Sequence, residues 1–131
     1  MFDAWGTGDP DKVASFFTDD AAFRGAADEL AKSRPAVEGR ERIRASAAGV
    51  FKMAKLTIVV ADTFARGSLV VTSHHQLFDM IDPTRGKVED WYLGVFFLKN
   101  GKIQAWNDYA LIPFSQPQTT HPSQFGKLIH V

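Results

Sequence analysis

The chain has 131 residues and carries 15 Lys and Arg against 15 Asp and Glu, so its formal net charge is zero. This balance argues against nucleic-acid-binding and membrane-surface proteins, because both classes rely on an excess of basic residues. The sequence has no cysteine, no apolar run long enough to cross a bilayer and no signal-peptide pattern. Since 45% of the residues are hydrophobic, the chain can bury one sizeable core. Together with the missing membrane span and signal peptide, this predicts one soluble, cytoplasmic domain over residues 1–131.

The first part of the chain predicts two short helices. Residues 1–5 are typical of the last turn of a helix, which Gly6 would end. Asp9-Pro10-Asp11 predicts a second helix start, because the first carboxylate can cap the helix and proline fits its first position. Residues spaced i, i+3, i+4 after this start predict one buried stripe on the second helix: Val13, Phe16 and Phe17.

The next segment predicts an extended piece, a loop and a longer helix. The extended piece covers residues 21–24, and residues 25–38 form a polar loop broken by Pro35. The helix is expected over residues 39–54, because its apolar residues share one face while its basic residues lie elsewhere. The predicted buried face consists of Ile43, Ala47, Val50, Phe51 and Ala54.

From Lys55 onward the hydrophobic pattern becomes alternating, and β-branched and aromatic residues are frequent. This pattern predicts four strands, at about 55–65, 68–81, 87–98 and 102–112. Asn100-Gly101 is a strong hairpin signal, because both turn residues must adopt positive φ. Helices followed by successive hairpins predict an α+β fold with an antiparallel meander. Residues 113–131 carry Pro117 and Pro122, so we expect an irregular C-terminal tail.

Strand parity sorts the residues of the predicted sheet, because alternate residues share a face. Three sets combine polar groups with aromatic residues, as expected of a pocket: Val70, Thr72, His74, Gln76 and Phe78; Val88, Asp90, Tyr92, Gly94 and Phe96; and Gln104, Trp106, Asp108 and Ala110. Parity alone does not say which face is the interior. The opposite face of the third strand is also apolar, so we expect a homodimer through the outer sheet face, with Trp91, Leu93, Val95 and Phe97 in the interface.

Asp108 is the main candidate for acid–base chemistry, because a carboxyl enclosed by aromatic side chains can exchange a proton with a substrate. The alternative is an aspartate that merely pairs with a donor near the strand end. His74 could be a base or proton donor beside Asp108, or a core histidine with satisfied nitrogens. Tyr92 and Asp90 could donate to an oxyanion, although Asp90 could instead be a rim residue. Gln76 could orient a water or a carbonyl group. The remaining pocket walls are expected to include Phe23, Phe78, Phe96 and Trp106.

No cofactor and no metal ion are expected. The spacing of His, Asp and Glu matches no metal site, and the adjacent His74 and His75 should point to opposite faces. The sequence also lacks a Gly-x-Gly-x-x-Gly loop, a Walker-type loop and a Gly-x-Ser-x-Gly nucleophile elbow. The expected partner is therefore a small molecule.

Four segments together resemble limonene epoxide hydrolase and its SnoaL-like relatives. They are Thr18-Asp19-Asp20-Ala21-Ala22-Phe23, Val37-Glu38-Gly39-Arg40, Gly94-Val95-Phe96-Phe97-Leu98-Lys99-Asn100-Gly101-Lys102-Ile103 and Trp106-Asn107-Asp108-Tyr109. These families belong to the nuclear-transport-factor-like cone superfamily, which includes ketosteroid isomerase. The resemblance runs from about residue 2 to residue 114. It implies a strongly curved sheet wrapped around N-terminal helices to form a cone with a deep apolar pocket.

The resemblance also implies where a site would lie. In the epoxide hydrolases, an arginine and an aspartate on one strand join an aspartate on the last strand, and a tyrosine and an asparagine help to hold the attacking water. The last-strand aspartate falls on Asp108 and the pocket tryptophan on Trp106. The other positions differ: the arginine falls on His74, its neighbouring aspartate on Gln76, the tyrosine on Phe23 and the asparagine on Gly25. Asp90 and Tyr92 fall on positions that are apolar in the epoxide hydrolase pocket.

These differences favour proton transfer over a direct copy of the epoxide hydrolase reaction. We expect a cofactor-independent enzyme that acts on a small, mostly apolar, oxygen-bearing molecule, as an isomerase, cyclase or lyase or as an epoxide hydrolase with a rearranged site. In this interpretation Asp108 is the acid–base group, His74 is its partner or an opposing proton donor, and Tyr92, Asp90 and Gln76 orient the substrate. The alternative is a non-catalytic domain that binds a small ligand or dimerises.

Overall fold

The computed structural model describes residues 1–25 and 35–111. The helices and strands follow in the order α1 (Phe2–Gly6), α2 (Pro10–Ala14), β1 (Phe17–Arg24), β2 (Val37–Glu38), α3 (Arg40–Met53), β3 (Ala54–Arg66), β4 (Leu69–Met80), β5 (Lys87–Lys99) and β6 (Lys102–Ala110). The predicted tail over residues 113–131 and residues 26–34 of the predicted loop lie outside this part of the chain.

The strands form one curved sheet in the order β2-β1-β6-β5-β4-β3. β3, β4, β5 and β6 pair antiparallel with one another in succession, which confirms the predicted meander. The sheet as a whole is mixed and not purely antiparallel, because β1 pairs parallel with β6. The meander leaves the backbone groups of β6 unpaired along one edge, and β1 supplies their partners.

The start of α2 confirms the predicted cap. Asp9 Oδ1 accepts hydrogen bonds from the backbone N–H groups of Asp11 at 2.9 Å and Lys12 at 3.2 Å. These bonds satisfy two of the amides that a helix start leaves without partners. The short helix therefore begins where its sequence indicates.

The predicted helical stripe is wrong after Val13. α2 ends at Ala14, Phe16 is 37% exposed, and Phe17 is a buried residue of β1. The backbone explains the difference, because Phe16 O accepts a hydrogen bond from the N–H of Ile103 in β6 at 2.8 Å. Sheet pairing at this point takes the place of another helical turn.

The segment around α3 is more regular than its sequence suggests. β1 starts before the predicted extended piece, and the end of the predicted loop forms β2, which pairs with Ala22 and Phe23. Gly39 has a φ of 88° and directly precedes α3. Ile43 and Ala47 of the predicted helix face are buried, as expected, whereas Ala54 is the first residue of β3.

The core is centred on Trp106, which is 2% exposed. Its ring packs against five aromatic rings from α1, β1 and β5, with centroid distances of 4.7 to 6.2 Å: Phe2, Trp5, Phe17, Phe23 and Phe96. The cluster joins the N-terminal helices to the concave face of the sheet. It therefore fixes the strand on which Asp108 lies.

The convex face of the sheet carries exposed apolar side chains. Val59 is 56% exposed, Phe64 59%, Phe97 46% and Tyr109 39%. The strand register places these residues on the same face as Leu93. Dimerisation through this face stays a prediction. None of the helices within residues 1–25 and 35–111 is long and apolar enough to cross a membrane.

Candidate functional site

A cavity of about 400 Å³ lies between the concave face of the sheet and helices α1 and α3. Most of its wall is apolar, with Trp5 contributed by α1 and Val50 by α3. The volume suits a small molecule, because ligand pockets typically enclose about 300–1,000 Å³. Six residues that the sequence places in a pocket line this cavity: Phe23, Gln76, Phe78, Tyr92, Trp106 and Asp108.

Asp108 is a buried carboxyl group at the wall of this cavity, with 3% of its surface exposed. Its Oδ1 accepts a hydrogen bond from Trp106 Nε1 at 2.6 Å, and its Oδ2 accepts one from Gln76 Nε2 at 3.1 Å. Hydrogen bonds of this kind offset the cost of burying a charge. Each carboxylate oxygen keeps a further lone pair, so Asp108 can still accept a proton from a bound molecule.

His74 is fully buried and does not line the cavity. Its Nδ1 lies 2.9 Å from Thr72 Oγ1, and its Nε2 lies 3.1 Å from Gln76 Nε2 and 3.6 Å from Asp108 Oδ1. The ring of Phe2 covers it at a centroid distance of 4.8 Å. This position fits a partner of Asp108 that acts through Gln76, whereas a proton donor to a bound molecule would have to face the cavity.

Tyr92 lines the cavity, whereas its hydrogen-bond partner Asp90 lies outside the cavity wall. The Tyr92 hydroxyl donates a hydrogen bond to Asp90 Oδ2 at 3.2 Å, and Asp90 is not part of the cavity wall. Burial raises the pKa of Tyr92 above its ordinary value, and the negative charge of Asp90 and the hydrogen bond to it add to this effect. Tyr92 therefore keeps its proton at neutral pH, and its hydroxyl can donate a hydrogen bond to an oxygen atom of a ligand if it turns from Asp90 toward the cavity.

Phe96 occupies a different place from the one that its sequence predicts. It shares the face of Tyr92 on β5 and is 3% exposed, but it lies outside the wall of the cavity with Asp108. Its ring stacks on Trp106 at a centroid distance of 5.0 Å. Strand parity identifies the correct face, but the curvature of the sheet places Phe96 behind the tryptophan, in the core.

Gly94 and Thr72 belong to the site, although the sequence analysis only placed them on the pocket face and assigned them no role. β5 separates β4 from β6, and Gly94 lies opposite Thr72 on one side and Asp108 on the other. A Cβ atom on Gly94 would come within 2.9 Å of both His74 Cε1 and Thr72 Oγ1. The missing side chain therefore leaves the space in which the His74 ring crosses β5. A glycine inside a strand is a signal of such a close approach.

Replacing Gly94 with alanine is expected to lower the free energy of unfolding by about 1–3 kcal/mol, the usual cost of overpacking a core. The new methyl group would lie 2.8 Å from Phe96 Cε2 and would displace the His74 ring. Urea denaturation measures the loss.

Gly49→Ala is the matched control, because nothing lies within 4 Å of its Cβ position in α3. We expect this control to gain about 0.5–1 kcal/mol. Equal stability of Gly94→Ala and the wild type would contradict the packing argument.

The described residues offer no evident place for a metal ion. Within residues 1–25 and 35–111, no group of three or more His, Asp or Glu side chains could hold one. The polar groups at the cavity are instead paired with one another in a chain that runs through Thr72, His74, Gln76, Asp108 and Trp106.

A six-stranded curved mixed sheet with few helices is the cone-shaped α+β fold of nuclear-transport-factor-like and ketosteroid isomerase-like proteins. Within this class, the SnoaL-like domain family matches residues 1–106, so the chain belongs to the SnoaL-like domain family. None of the curated proteins compared with the chain matches it.

Several solved structures share the fold. An LEH-like epoxide hydrolase from M. tuberculosis has 20% sequence identity and a TM-score of 0.69, with 83% of this chain and 75% of that chain covered. A ketosteroid isomerase-like protein from Catenulispora acidiphila, in complex with trimethylamine, has 16% identity and a TM-score of 0.71, with coverage of 82% and 79%. The epoxide hydrolase/cyclase-like enzyme SalBIII, described in pyran ring formation in the polyether salinomycin, has 25% identity and a TM-score of 0.71, with 83% of each chain covered.

Proposed function

We propose that this protein is a cofactor-independent enzyme that transfers a proton on a small, mostly apolar, oxygen-bearing molecule, with Asp108 as the acid–base group. The observation that carries the proposal is the placement of Asp108. A buried carboxyl faces an apolar cavity of about 400 Å³, and Trp106 and Gln76 hold its two oxygens in fixed directions. Positioned carboxyl groups of this kind are efficient general bases.

The polar groups of the cavity support proton transfer better than epoxide opening by water. Opening an epoxide benefits from an acid that protonates the departing oxygen, and Gln76 is an amide that cannot supply such a proton. His74 is not part of the cavity wall, and the raised pKa of Tyr92 makes its hydroxyl a poor source of a proton, although it can still donate a hydrogen bond. The likeness to SalBIII agrees with a reaction that rearranges an oxygen-bearing molecule, although at 25% identity it supports the class of reaction and not the substrate.

The proposed reaction needs only groups that the chain supplies. A proton of the bound molecule passes to a free lone pair of Asp108, and Trp106 and Gln76 keep the carboxyl oriented while its charge changes. Negative charge that develops on a ligand oxygen can be met by the Tyr92 hydroxyl, if its proton turns from Asp90 toward the cavity. Asp108 then returns the proton to a different atom, which gives an isomerised or cyclised product with the atoms of the substrate.

Mass spectrometry in water labelled with heavy oxygen tests this proposal. We would incubate the protein with terpenoid, steroid-like and aromatic-polyketide epoxides, ketones and alcohols. The proposal expects a product of unchanged mass that contains no labelled oxygen. A diol that carries the label would instead establish hydrolysis. Ligands that raise the melting temperature without forming any product would indicate a binding domain and would contradict the proposed enzyme.

A further inference from the structure

The orientation of the Gln76 amide determines which polar atom faces the ligand. One end of this amide lies 3.1 Å from Asp108 Oδ2 and 3.1 Å from His74 Nε2. An ionised carboxylate can only accept hydrogen bonds, so the amide nitrogen must be the end that faces Asp108. Its two hydrogens then have two acceptors, namely Asp108 Oδ2 and His74 Nε2.

This arrangement fixes the tautomer of His74. If Nε2 accepts from Gln76, it carries no proton, and the ring proton lies on Nδ1. Nδ1 is 2.9 Å from Thr72 Oγ1, which can accept that proton. The distance of 3.6 Å between His74 Nε2 and Asp108 Oδ1 agrees, because it is too long for a direct hydrogen bond. In this hydrogen-bond network the ring proton of His74 therefore lies on Nδ1.

The carbonyl oxygen of Gln76 is the atom that remains for the ligand. Gln76 lines the cavity, and within residues 1–25 and 35–111 its Oε1 has no hydrogen bond and is not among the fully buried unpartnered atoms. Two donors of the wall are already in use, since Trp106 Nε1 donates to Asp108 and the Tyr92 hydroxyl donates to Asp90. Two further residues of the wall carry donors, namely Ser46 with its hydroxyl and Trp5, whose Nε1 has no partner among the described residues. Beside Asp108 the wall therefore presents acceptors: Gln76 Oε1 and the free lone pairs of the carboxylate.

We propose that His74 is a positioning residue whose Nδ1-protonated tautomer holds the Gln76 carbonyl toward the cavity, and that the site in consequence selects a ligand with a hydroxyl group. The second half rests on the proposed function, because it places the ligand beside Asp108. The first half concerns the protein alone and can be tested without any substrate.

Long-range ¹H–¹⁵N correlation spectra of the histidine rings test the first half. We expect the proton of His74 on Nδ1 in the wild type, with His74→Gln used to identify its signals. Thr72→Ser keeps the hydroxyl acceptor and should leave this tautomer unchanged. A wild-type ring that is protonated on Nε2, or on both nitrogens, would overturn the inference.

Asp108→Asn makes a sharper test, because it should reverse the tautomer. Trp106 Nε1 can only donate, so the oxygen of the introduced asparagine must face it, and the asparagine nitrogen then faces Gln76. Gln76 must turn its Oε1 toward that nitrogen and toward His74, which now needs a proton on Nε2. We expect the His74 signal to switch from the Nδ1-protonated to the Nε2-protonated form. An unchanged tautomer in a folded Asp108→Asn protein would rule out the coupling between the Gln76 amide and the His74 ring. If this variant does not fold, the wild-type spectrum alone tests whether the His74 proton lies on Nδ1.

The ligand class is tested with 1-tetralol and 1-tetralone, which share a carbon skeleton and differ in whether the oxygen can donate. Titrations followed through the indole signal of Trp106 should give about tenfold tighter binding of the alcohol, because its hydroxyl can donate to Asp108 and to Gln76 Oε1, whereas the ketone can use neither acceptor. Equal affinities, tighter binding of the ketone, or binding of neither compound would overturn the hydroxyl preference. The proposed function fails on a separate result, namely if Asp108→Asn keeps full turnover.

Discussion

Asp108→Asn is expected to lower kcat of the reaction found in the labelled-water experiment by about 10²–10⁴-fold, the usual contribution of a positioned general base. Asparagine has nearly the size of aspartate, and its oxygen can still accept the hydrogen bond from Trp106. Its amide, however, cannot take up a proton from the substrate. We therefore expect the melting temperature to change little while turnover is lost.

Asp90→Asn is the matched control for this prediction. Asp90 lies on the same face of the sheet, but it is not part of the cavity wall and is joined to it by the hydrogen bond from Tyr92. Tyr92 can still donate to the oxygen of an asparagine at this position, so the control should retain most of the activity. If Asp108→Asn is as active as this control, Asp108 is not the acid–base group.

Among the variants proposed for this protein, Trp106→Ala is expected to lower the free energy of unfolding most. The expected loss of about 3–5 kcal/mol is typical of removing a large buried aromatic side chain. Trp106 packs against five aromatic rings and also donates a hydrogen bond to Asp108 at 2.6 Å. Alanine at this position would leave a cavity between the helices and the sheet. Denaturation with urea measures the loss as a lower transition midpoint.

Two further variants separate the contributions of Trp106. Trp106→Phe keeps a ring in the cluster but removes the donor, so the loss should be about 1.5–3 kcal/mol, the range for a hydrogen bond to a charged group. Phe97→Ala removes an aromatic ring that is 46% exposed on the convex face of a single chain, and in monomeric protein at low concentration it should cost about 1 kcal/mol because much of that ring is then in water. A Phe97→Ala loss as large as that of Trp106→Ala would refute a core centred on Trp106.

Local signals in the sequence were sufficient for the elements that depend on neighbouring residues. Asp9 caps α2 as predicted, and Asn100 and Gly101 both have positive φ in the hairpin turn. Strand parity, together with the mixture of polar and aromatic residues in each set, assigned Asp108 and Gln76 to the expected pocket, and both line the cavity. These features rest on turn geometry and on the alternation of side chains, which can be read from a few consecutive residues.

Features that depend on distant residues could not be read in the same way. The parallel pairing of β1 with β6, which ends the predicted helical stripe at Phe16, joins segments that are far apart along the chain. Parity also gives the face of a residue but not its depth on a curved sheet. His74 and Phe96 therefore have the predicted face, yet both lie outside the cavity wall. The space above Gly94 exists only once three strands are aligned.

The pairing of β1 with β6 has a consequence for the assembly of the protein. β6 carries Asp108 and Trp106 and lies inside the sheet only because β1 covers its outer edge. Contacts between segments so distant in sequence form slowly, because a long stretch of chain must first be closed. Until then the strand with Asp108 is an exposed edge that can pair with other chains. Variants that weaken β1 should therefore aggregate during refolding before they lose activity in the folded state.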